Sequence, residues 1–236
     1  MLGYPDKALA IGSEGLALAE HVADPLSLEF ALVFNAMLHL DRGEPELALQ
    51  LVESAETLAA EQRLGFLIEP RFVRGAAFSA QGAFDESVAC LRDALTGGLG
   101  AVTFRPYGFT RLAEALASQG QYGTVTQAVR EGMKAQEETG ARRWEAELHR
   151  LAGIAQIGLN RREEAETALK QALRIARSQQ AKSYELRAVT SLAQLWGEQG
   201  RRGEARDLLA PVYGWFTEGF DTGDLKDSKA LLDWLG

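Results

Sequence analysis

The sequence predicts an all-α fold: a right-handed α-solenoid of helix pairs, closed by a C-terminal capping helix. A turn residue recurs along the chain at an almost constant interval of about 40 residues, which is typical of a helical repeat array. Apolar residues between the turns follow helical spacing, and no strand pattern is present. The turn positions are Gly3, Gly43, Gly82, Gly120, Asn160 and Gly200.

The chain length and composition fit one elongated, soluble domain over residues 1–236. A solenoid grows by adding units, so 236 residues need not be divided into two domains. Hydrophobic residues make up 46% and charged residues 25%, as in folded soluble proteins. The net charge of −8 argues against nucleic acid or an anionic membrane as the main partner, because phosphate binding requires a basic surface.

The expected compartment is the cytoplasm. Cys90 is the only cysteine, so an internal disulfide cannot form. No apolar run is long enough to span a membrane as a helix. The first residues lack a basic segment followed by an apolar one, so we expect no signal peptide.

The chain is expected to begin in the middle of a repeat. Residues 5–22 form one predicted helix, with Pro5 at the first helical position, where its missing N–H costs nothing. The repeat period makes this helix the second of a pair whose first helix is absent. Asp24 is expected to cap the next helix. The complete pairs are predicted at about residues 24–63, 65–96, 104–138, 142–179 and 182–217.

Two less regular stretches need separate interpretation. The glycine-rich residues 96–100 follow a helix and lack the Lys-Ser/Thr ending of a phosphate-binding loop, so a turn is expected there, with the next helix starting near residue 105. Residues 222–235 are expected to form the capping helix, with Asp221 or Thr222 as its N-cap. An element that is apolar inside and acidic outside closes the end of an array.

The pattern inside each unit indicates the type of repeat. In the last pair, Ala193, Trp196, Gly200 and Ala205 stand at offsets of 1, 4, 8 and 13 from Leu192. A large–small pair, an aromatic residue, a turn glycine and a small residue are typical of tetratricopeptide repeats. The period of 39–40 exceeds their usual length of about 34 residues, which leaves HEAT-like helix pairs as an alternative. Longer helices on a tetratricopeptide core require fewer assumptions.

Three stretches resemble one bacterial family. They are residues 145–153, residues 179–187 and, most specifically, the ending at 208–232. They are similar to the C-terminal tetratricopeptide-like region of multidomain signalling proteins in which an adenylate/guanylate cyclase domain precedes an AAA-type ATPase module. The resemblance covers essentially the whole chain and is strongest over 142–232. It implies a regulatory or interaction region, and it does not transfer cyclase or ATPase activity to these residues.

The sequence offers no chemistry of its own. His21, His39 and His149 lie in different units without metal-ligand spacing, so no metal and no cofactor are expected. No nucleophile motif marks a catalytic triad, although a triad is a spatial arrangement. We therefore expect no catalytic residue, and we hold an enzyme as the third and least favoured hypothesis.

The predicted function is protein–protein interaction, as a scaffold or sensor region of a signalling protein. A peptide or partner helix would lie along the concave face formed by the first helices. The alternative is a small-molecule inducer sensor, as in the helical arrays of ATPase-type regulators such as the maltose-regulon activator. The candidate binding residues on the concave face are Met37, Thr110, Glu114, His149, Arg187, Thr190 and Gln194.

One further expectation concerns the helix at 5–22. Without its partner helix it leaves part of an apolar face uncovered. Burying one leucine contributes about 1.5–3 kcal/mol, so several uncovered side chains forgo a substantial stabilisation. The chain is therefore predicted to form a homodimer through this end, or to fray there.

Overall fold

A computed structural model describes residues 2–64, 70–97 and 99–236, without the side chains of residues 99–101. The predicted start of the second pair at residue 65 lies outside these residues. Within them the chain forms twelve α-helices, one 3-10 turn at Arg142–Trp144 and no strand. The helices are α1 (Pro5–Val22), α2 (Pro25–Arg42), α3 (Pro45–Gln62), α4 (Pro70–Ala80), α5 (Phe84–Leu95), α6 (Leu99–Ser118), α7 (Tyr122–Thr139), α8 (Glu145–Gly158), α9 (Arg162–Ser178), α10 (Lys182–Glu198), α11 (Arg202–Tyr213) and α12 (Gly223–Leu235).

The repeating turn has the same backbone conformation in every unit. All six turn positions have a left-handed φ, from 59° at Asn160 to 92° at Gly3. Glycine adopts this conformation without the steric cost of a Cβ, and asparagine tolerates it better than most residues. The chain therefore reverses direction at each of these positions and begins a second helix two residues later.

Two layers result from this alternation. The first helices α2, α4, α6, α8, α10 and the capping helix α12 contact one another in succession. Each second helix from α3 onwards packs against the first helix of its own pair and the first helix of the next, and α1 packs against α2. The apolar core lies between the layers and contains small residues such as Ala48, Ala113 and Ala193 with no exposed surface. The first helices form the inner layer, and we call their common surface the inner face.

Local capping accounts for where α2 starts. The Asp24 carboxylate accepts a hydrogen bond from the backbone N–H of Ser27 at 2.9 Å, as predicted. Pro25 occupies the first turn. These are short-range interactions, so this helix start could be predicted from the sequence.

Helix α6 starts at Leu99, and the predicted start near residue 105 is wrong. A turn was predicted over the glycine-rich residues 96–100, of which only Gly98 lies outside the described residues. Pro106 is accommodated inside the helix. Aromatic packing favours the extra turns, because the ring of Phe104 within them lies 5.5 Å from that of Trp144. Tertiary contacts thus outweigh the low helix propensity of glycine and proline.

The last pair is shorter than predicted. Helix α11 ends at Tyr213, four residues before the expected boundary at 217. Residues 214–222, which we call the closing segment, connect it to α12. Thr222 is the N-cap residue of α12, but its hydroxyl donates to the carbonyl of Gly219 at 2.7 Å and does not cap the helix.

The closing segment contacts the first turn of α1. One carboxylate oxygen of Glu218 accepts the backbone N–H groups of Asp6 at 2.9 Å and Lys7 at 3.0 Å. These are free N–H groups of a helix start, and a carboxylate also interacts favourably with the helix dipole there. The rings of Tyr4 and Trp215 lie 5.3 Å apart. The first and last elements of the array are therefore in contact, and α1 is anchored at its N-terminal end.

No helix among the described residues combines the length and the apolar character needed to cross a membrane.

Candidate functional site: the charged inner face

The structure brings together four of the seven predicted binding residues. A guanidinium nitrogen of Arg187 in α10 lies 3.0 Å from a carboxylate oxygen of Glu114 in α6. Thr190 and Gln194 follow Arg187 along α10 and line a polar recess beside it. These four residues share the inner face, as their repeat positions predicted.

The other three predicted residues lie elsewhere. Met37 is buried in the apolar core, and Thr110 is buried with its hydroxyl donating to the carbonyl of Pro106 at 2.7 Å. Both are therefore closed to a ligand, which corrects their assignment to the open surface. His149 points to another side of the molecule, where it lines a groove with Thr167 and Arg174 of α9. Burial lowers the pKa of His149, and neighbouring Glu145 opposes this shift.

Charged side chains from five helices meet on the inner face. They connect helices that are far apart in the sequence, and they include both acidic and basic groups. We call this set the inner ion cluster. It consists of Asp41, Arg111, Glu114, Glu147, Arg150, Arg187 and Asp224.

Arg187 is the centre of the cluster. Its Nη1 lies 2.8 Å from Glu147 in α8, its Nη2 3.0 Å from Glu114 in α6 and its Nε 3.3 Å from Asp224 in α12. The planar guanidinium group suits this role because its donors point in several fixed directions. Since α6 and α10 are separated by α8 in the array, this ion pair joins two helices that are not neighbours in the inner layer.

Arg150 of α8 supports the same carboxylates. Its Nε donates to both oxygens of Glu147 at 3.1 Å, and its Nη2 lies 2.9 Å from one of them. The same Nη2 lies 3.1 Å from Glu114. The Glu147 side chain is only 2% exposed, so its charge requires these two arginine partners, Arg150 and Arg187.

Arg111 completes the cluster on the side of α2. Its Nη1 lies 2.9 Å from Glu114 and its Nη2 3.5 Å from Asp41. Its guanidinium carbon lies 4.9 Å from the centre of the Tyr107 ring, a cation–π contact. The cluster therefore links α2, α6, α8, α10 and α12.

The pKa values of the cluster follow from burial and charge pairing. Burial opposes ionisation of Glu114, but Arg111, Arg187 and Arg150 outweigh it and lower the pKa to about 2. Burial and nearby Glu147 raise the pKa of the Asp224 carboxyl, against the effect of Arg187. Three guanidinium groups face four carboxylates, so the cluster carries a small negative excess at neutral pH.

A cavity of about 650 Å³ adjoins the cluster. It lies between the first turns of α1 and the helices α10 and α12. Apolar side chains such as Ile11, Leu186 and Leu225 form its walls, while Asp41 and Arg187 contribute charge. Its volume and mixed lining fall in the range of small-molecule sites.

A second, polar recess of about 320 Å³ opens between α10 and α12. Gln194 is exposed there, and Asp227 faces it from the capping helix. Thr190 and Ser228 join the two helices by a hydroxyl contact of 2.9 Å. The recess presents amide, hydroxyl and carboxylate groups that can bind the main chain of a peptide.

The sequence could have identified two more members of the cluster, because Arg150 precedes the turn at Asn160 by the same distance as Thr190 precedes the turn at Gly200. Glu147 precedes the turn at Asn160 by the same distance along the chain as Arg187 precedes the turn at Gly200. The repeat period therefore contained a signal for Glu147 and Arg150. Asp224 and Asp41 lie outside the repeat positions that were used, so no periodic signal marked them.

Metal coordination has no support in the described part of the chain. No group of three or more His, Cys, Asp or Glu side chains converges there in a way that could hold a metal ion. The carboxylates of the inner ion cluster are paired with arginine side chains instead.

Together, the fold and the inner face define a tetratricopeptide-like α-solenoid. The tetratricopeptide repeat profile matches residues 30–54 and 186–211, which lie in α2–α3 and α10–α11. No curated protein has significant similarity to the chain.

Solved structures share the same architecture. BtubC (BKLC) from P. vanneervenii is 14% identical, with a TM-score of 0.60 over 97% of this chain and 92% of its own. Two structures of nearly identical TPR-like repeats of the kinesin light chain type from Podosopora anserina are 19% and 18% identical. They cover 80% and 81% of this chain and 94% and 95% of their own, with TM-scores of 0.51 and 0.50. At these identities the similarity shows the fold alone.

Proposed function

We propose that the inner face binds a peptide or helix of a partner protein. TPR-like repeats generally act as protein-interaction scaffolds. The observation that carries the proposal is the convergence of α6, α8, α10 and α12 on one charged surface beside an open polar recess. The ion pairs of Arg187 hold these helices in fixed positions, so the binding surface is organised before a partner arrives.

Gln194 and Asp227 are the residues best placed for direct contact. Gln194 is exposed, and its amide can both donate to and accept from a peptide backbone. Asp227 lines the same recess and favours a basic residue in the ligand. A few such side chains on each repeat are sufficient to hold an extended peptide or one face of a helix.

The finer proposal places this interaction in bacterial signalling. It is supported by the resemblance of residues 145–153, 179–187 and 208–232 to the repeat region of cyclase–ATPase proteins. In that setting the chain is a cytoplasmic regulatory region, and its partner can be an attached cyclase or ATPase domain. The proposal assigns no catalytic step and no cofactor to these residues.

A peptide-display selection against the intact chain tests the proposal. Selected peptides should bind the wild-type chain, and Gln194→Ala should weaken binding at least about tenfold, the equivalent of roughly 1.4 kcal/mol. Gln127→Ala is the matched control, because Gln127 is an exposed glutamine on the second helix α7. Equal affinities for the wild-type chain and the Gln194 variant would contradict binding at the recess.

The second candidate function is small-molecule sensing, and the cavity of about 650 Å³ favours it. A panel of sugars, amino acids and nucleotides should then contain a compound that raises Tm. Ile11→Trp should abolish that shift, because Ile11 lines the cavity. Leu47→Trp is the control, because Leu47 is an exposed residue of α3 that does not line this cavity. A panel without any stabilising compound would count against the sensor hypothesis.

The homodimer through α1 stays a prediction. Ile11, Leu18 and Val22 are 59%, 62% and 59% exposed, so α1 does present uncovered apolar side chains. Its first turn is anchored by the closing segment, so the uncovered part is the middle and the C-terminal half of the helix.

A further inference from the structure

A second open surface lies on the first two helices of the array. An apolar groove of about 550 Å³ runs between α1 and α2. We call it the N-terminal groove. It is lined chiefly by Gly15, Leu18 and Val22 of α1 and by Leu26, Phe30 and Phe34 of α2.

Comparison of the repeats shows that one helix position at this groove is uncovered, although its equivalents are buried. The eleventh residue of every second helix is small or β-branched, and in the five later units it is buried. In α1 the same position is Gly15, which is exposed and has no atom within 4 Å of a Cβ built on it. The buried counterparts are Ala55, Ala94, Gly132, Ala172 and Val212.

The structure also shows what covers this position elsewhere. A Cβ built on Gly132 in α7 would lie 3.0 Å from the Cβ of Phe109 in α6 and 2.7 Å from Leu148 in α8. The first helix of the same unit therefore packs directly over the equivalent residue. By the repeat geometry, the N-terminal groove lies where a first helix packs in the later units.

The charges around the groove indicate which kind of helix fits. Residues 8 to 41 contain no lysine or arginine; of their five carboxylate side chains, Glu29 is buried and Asp41 belongs to the inner ion cluster. Glu14, Glu20 and Asp24 are exposed on or next to α1. A second copy of this chain would bring the same acidic surfaces together, whereas a basic helix would meet opposite charges.

We propose that the N-terminal groove binds a basic amphipathic helix of a partner protein, in the position that a first helix occupies in the other units. Apolar side chains at i, i+3 or i+4 and i+7 contact Leu18, Val22 and Phe30. Lysine or arginine side chains on its flanks face Glu14 and the neighbouring carboxylates. This site is separate from the inner face, so it can operate whether or not the inner face binds a peptide.

The test uses two synthetic 18-residue helical peptides, the length of α1 and α2. Both carry the same leucine face, and one has lysine flanks where the other has glutamate. Fluorescence anisotropy with the full chain should give a Kd at least about tenfold lower for the lysine peptide. The difference should shrink as salt is added, because exposed charges are screened.

Two matched variants locate the binding. Gly15→Gln places a side chain in the groove, and a Cβ at this position has no atom within 4 Å, so the Tm should equal or exceed that of the wild type. It should weaken binding of the lysine peptide at least about tenfold. Gly123→Gln is the control, because Gly123 is an exposed helical glycine with equally open surroundings. Its Kd should stay within about twofold of the wild-type value.

Several outcomes would overturn the proposal. One is that the two peptides bind with equal Kd, and another is that neither peptide binds. A third is that Gly15→Gln binds the lysine peptide with the wild-type Kd. A homodimer in sedimentation velocity that Gly15→Gln dissociates would assign the groove to a second copy of the chain instead. A monomeric wild-type chain that binds the lysine peptide through Gly15 supports the partner helix.

Discussion

Arg187 and Glu114 are 73 residues apart in the sequence, and their guanidinium and carboxylate groups meet at 3.0 Å. The contact crosses from α10 to α6 over the intervening α8. It connects these two helices directly on the inner face. The stability and the proposed binding function of the protein therefore depend on the same pair.

Removing Arg187 should destabilise the fold. Arg187→Met leaves Glu147 without one of its two arginine partners while its side chain stays buried. Breaking a buried pair from one side costs about 3–5 kcal/mol. Urea unfolding should show this loss in the free energy of unfolding. Arg206→Met, an exposed substitution in α11, should change it by less than about 0.5 kcal/mol, and equal losses would contradict the role of the cluster.

Glu114 should make the protein sensitive to acid. Its pKa is about 2 in the folded chain, against 4.5 for an unperturbed glutamate. A lowered folded pKa adds stability above pH 4.5, and this stability is lost as the pH falls from about 4.5 towards 2. The difference corresponds to about 3 kcal/mol.

Comparison with Glu114→Gln isolates this contribution. The stability gap between the wild-type chain and the variant in urea unfolding should narrow as the pH is lowered from 6 to 3. Glu53→Gln, an exposed change on α3, is the control. A gap that is the same at every pH would show that ionisation of Glu114 does not stabilise the fold.

The anchoring of α1 can be tested through Glu218. Glu218→Ala removes the acceptor of the Asp6 and Lys7 backbone N–H groups. Loss of a helix cap costs about 1 kcal/mol, and amide exchange should accelerate in residues 6–9. Glu164→Ala on α9 should leave that exchange unchanged. If Glu218→Ala also leaves it unchanged, the closing segment does not hold α1.

Close helix packing makes some glycines irreplaceable. A Cβ at Gly108 in α6 would lie 2.4 Å from the Phe72 ring of α4. Gly108→Ala should therefore destabilise the protein by about 1–3 kcal/mol in thermal or urea unfolding. Gly123→Ala meets no atom and should stabilise it slightly, by up to about 1 kcal/mol. If Gly123→Ala destabilised the protein more than Gly108→Ala, α4 and α6 would not be in close contact.

The sequence predicted best the helix starts, caps and turns, because interactions within a few residues determine them. Proline at helix starts, Asp24 as a cap and glycine or asparagine at the turns act within a few residues, so most helices could be placed. Helix α6 starts at Leu99 despite nearby glycines, and Phe104 in the added turns packs on Trp144 of the next unit, a contact that no local signal reports.

The candidate site could be predicted only in part, because only some of its residues follow the repeat. Glu114 and Arg187 occupy repeat positions that project from the first helices, so the period identified them. Asp224 belongs to the capping helix and Asp41 to the end of α2, and neither follows the period. The contact of Glu218 with α1 joins the two ends of the chain, which sequence periodicity does not encode.

The most direct test of the interaction function is an NMR titration of the chain with a display-selected peptide. The side-chain amide signal of Gln194 and the Nε–H signal of Arg187 report on the inner face, and the amide signal of Gln127 reports on the outer layer. We predict that the first two signals shift with the peptide and that the third does not. Shifts confined to Gln127 and other outer residues would contradict the inner face as the binding surface.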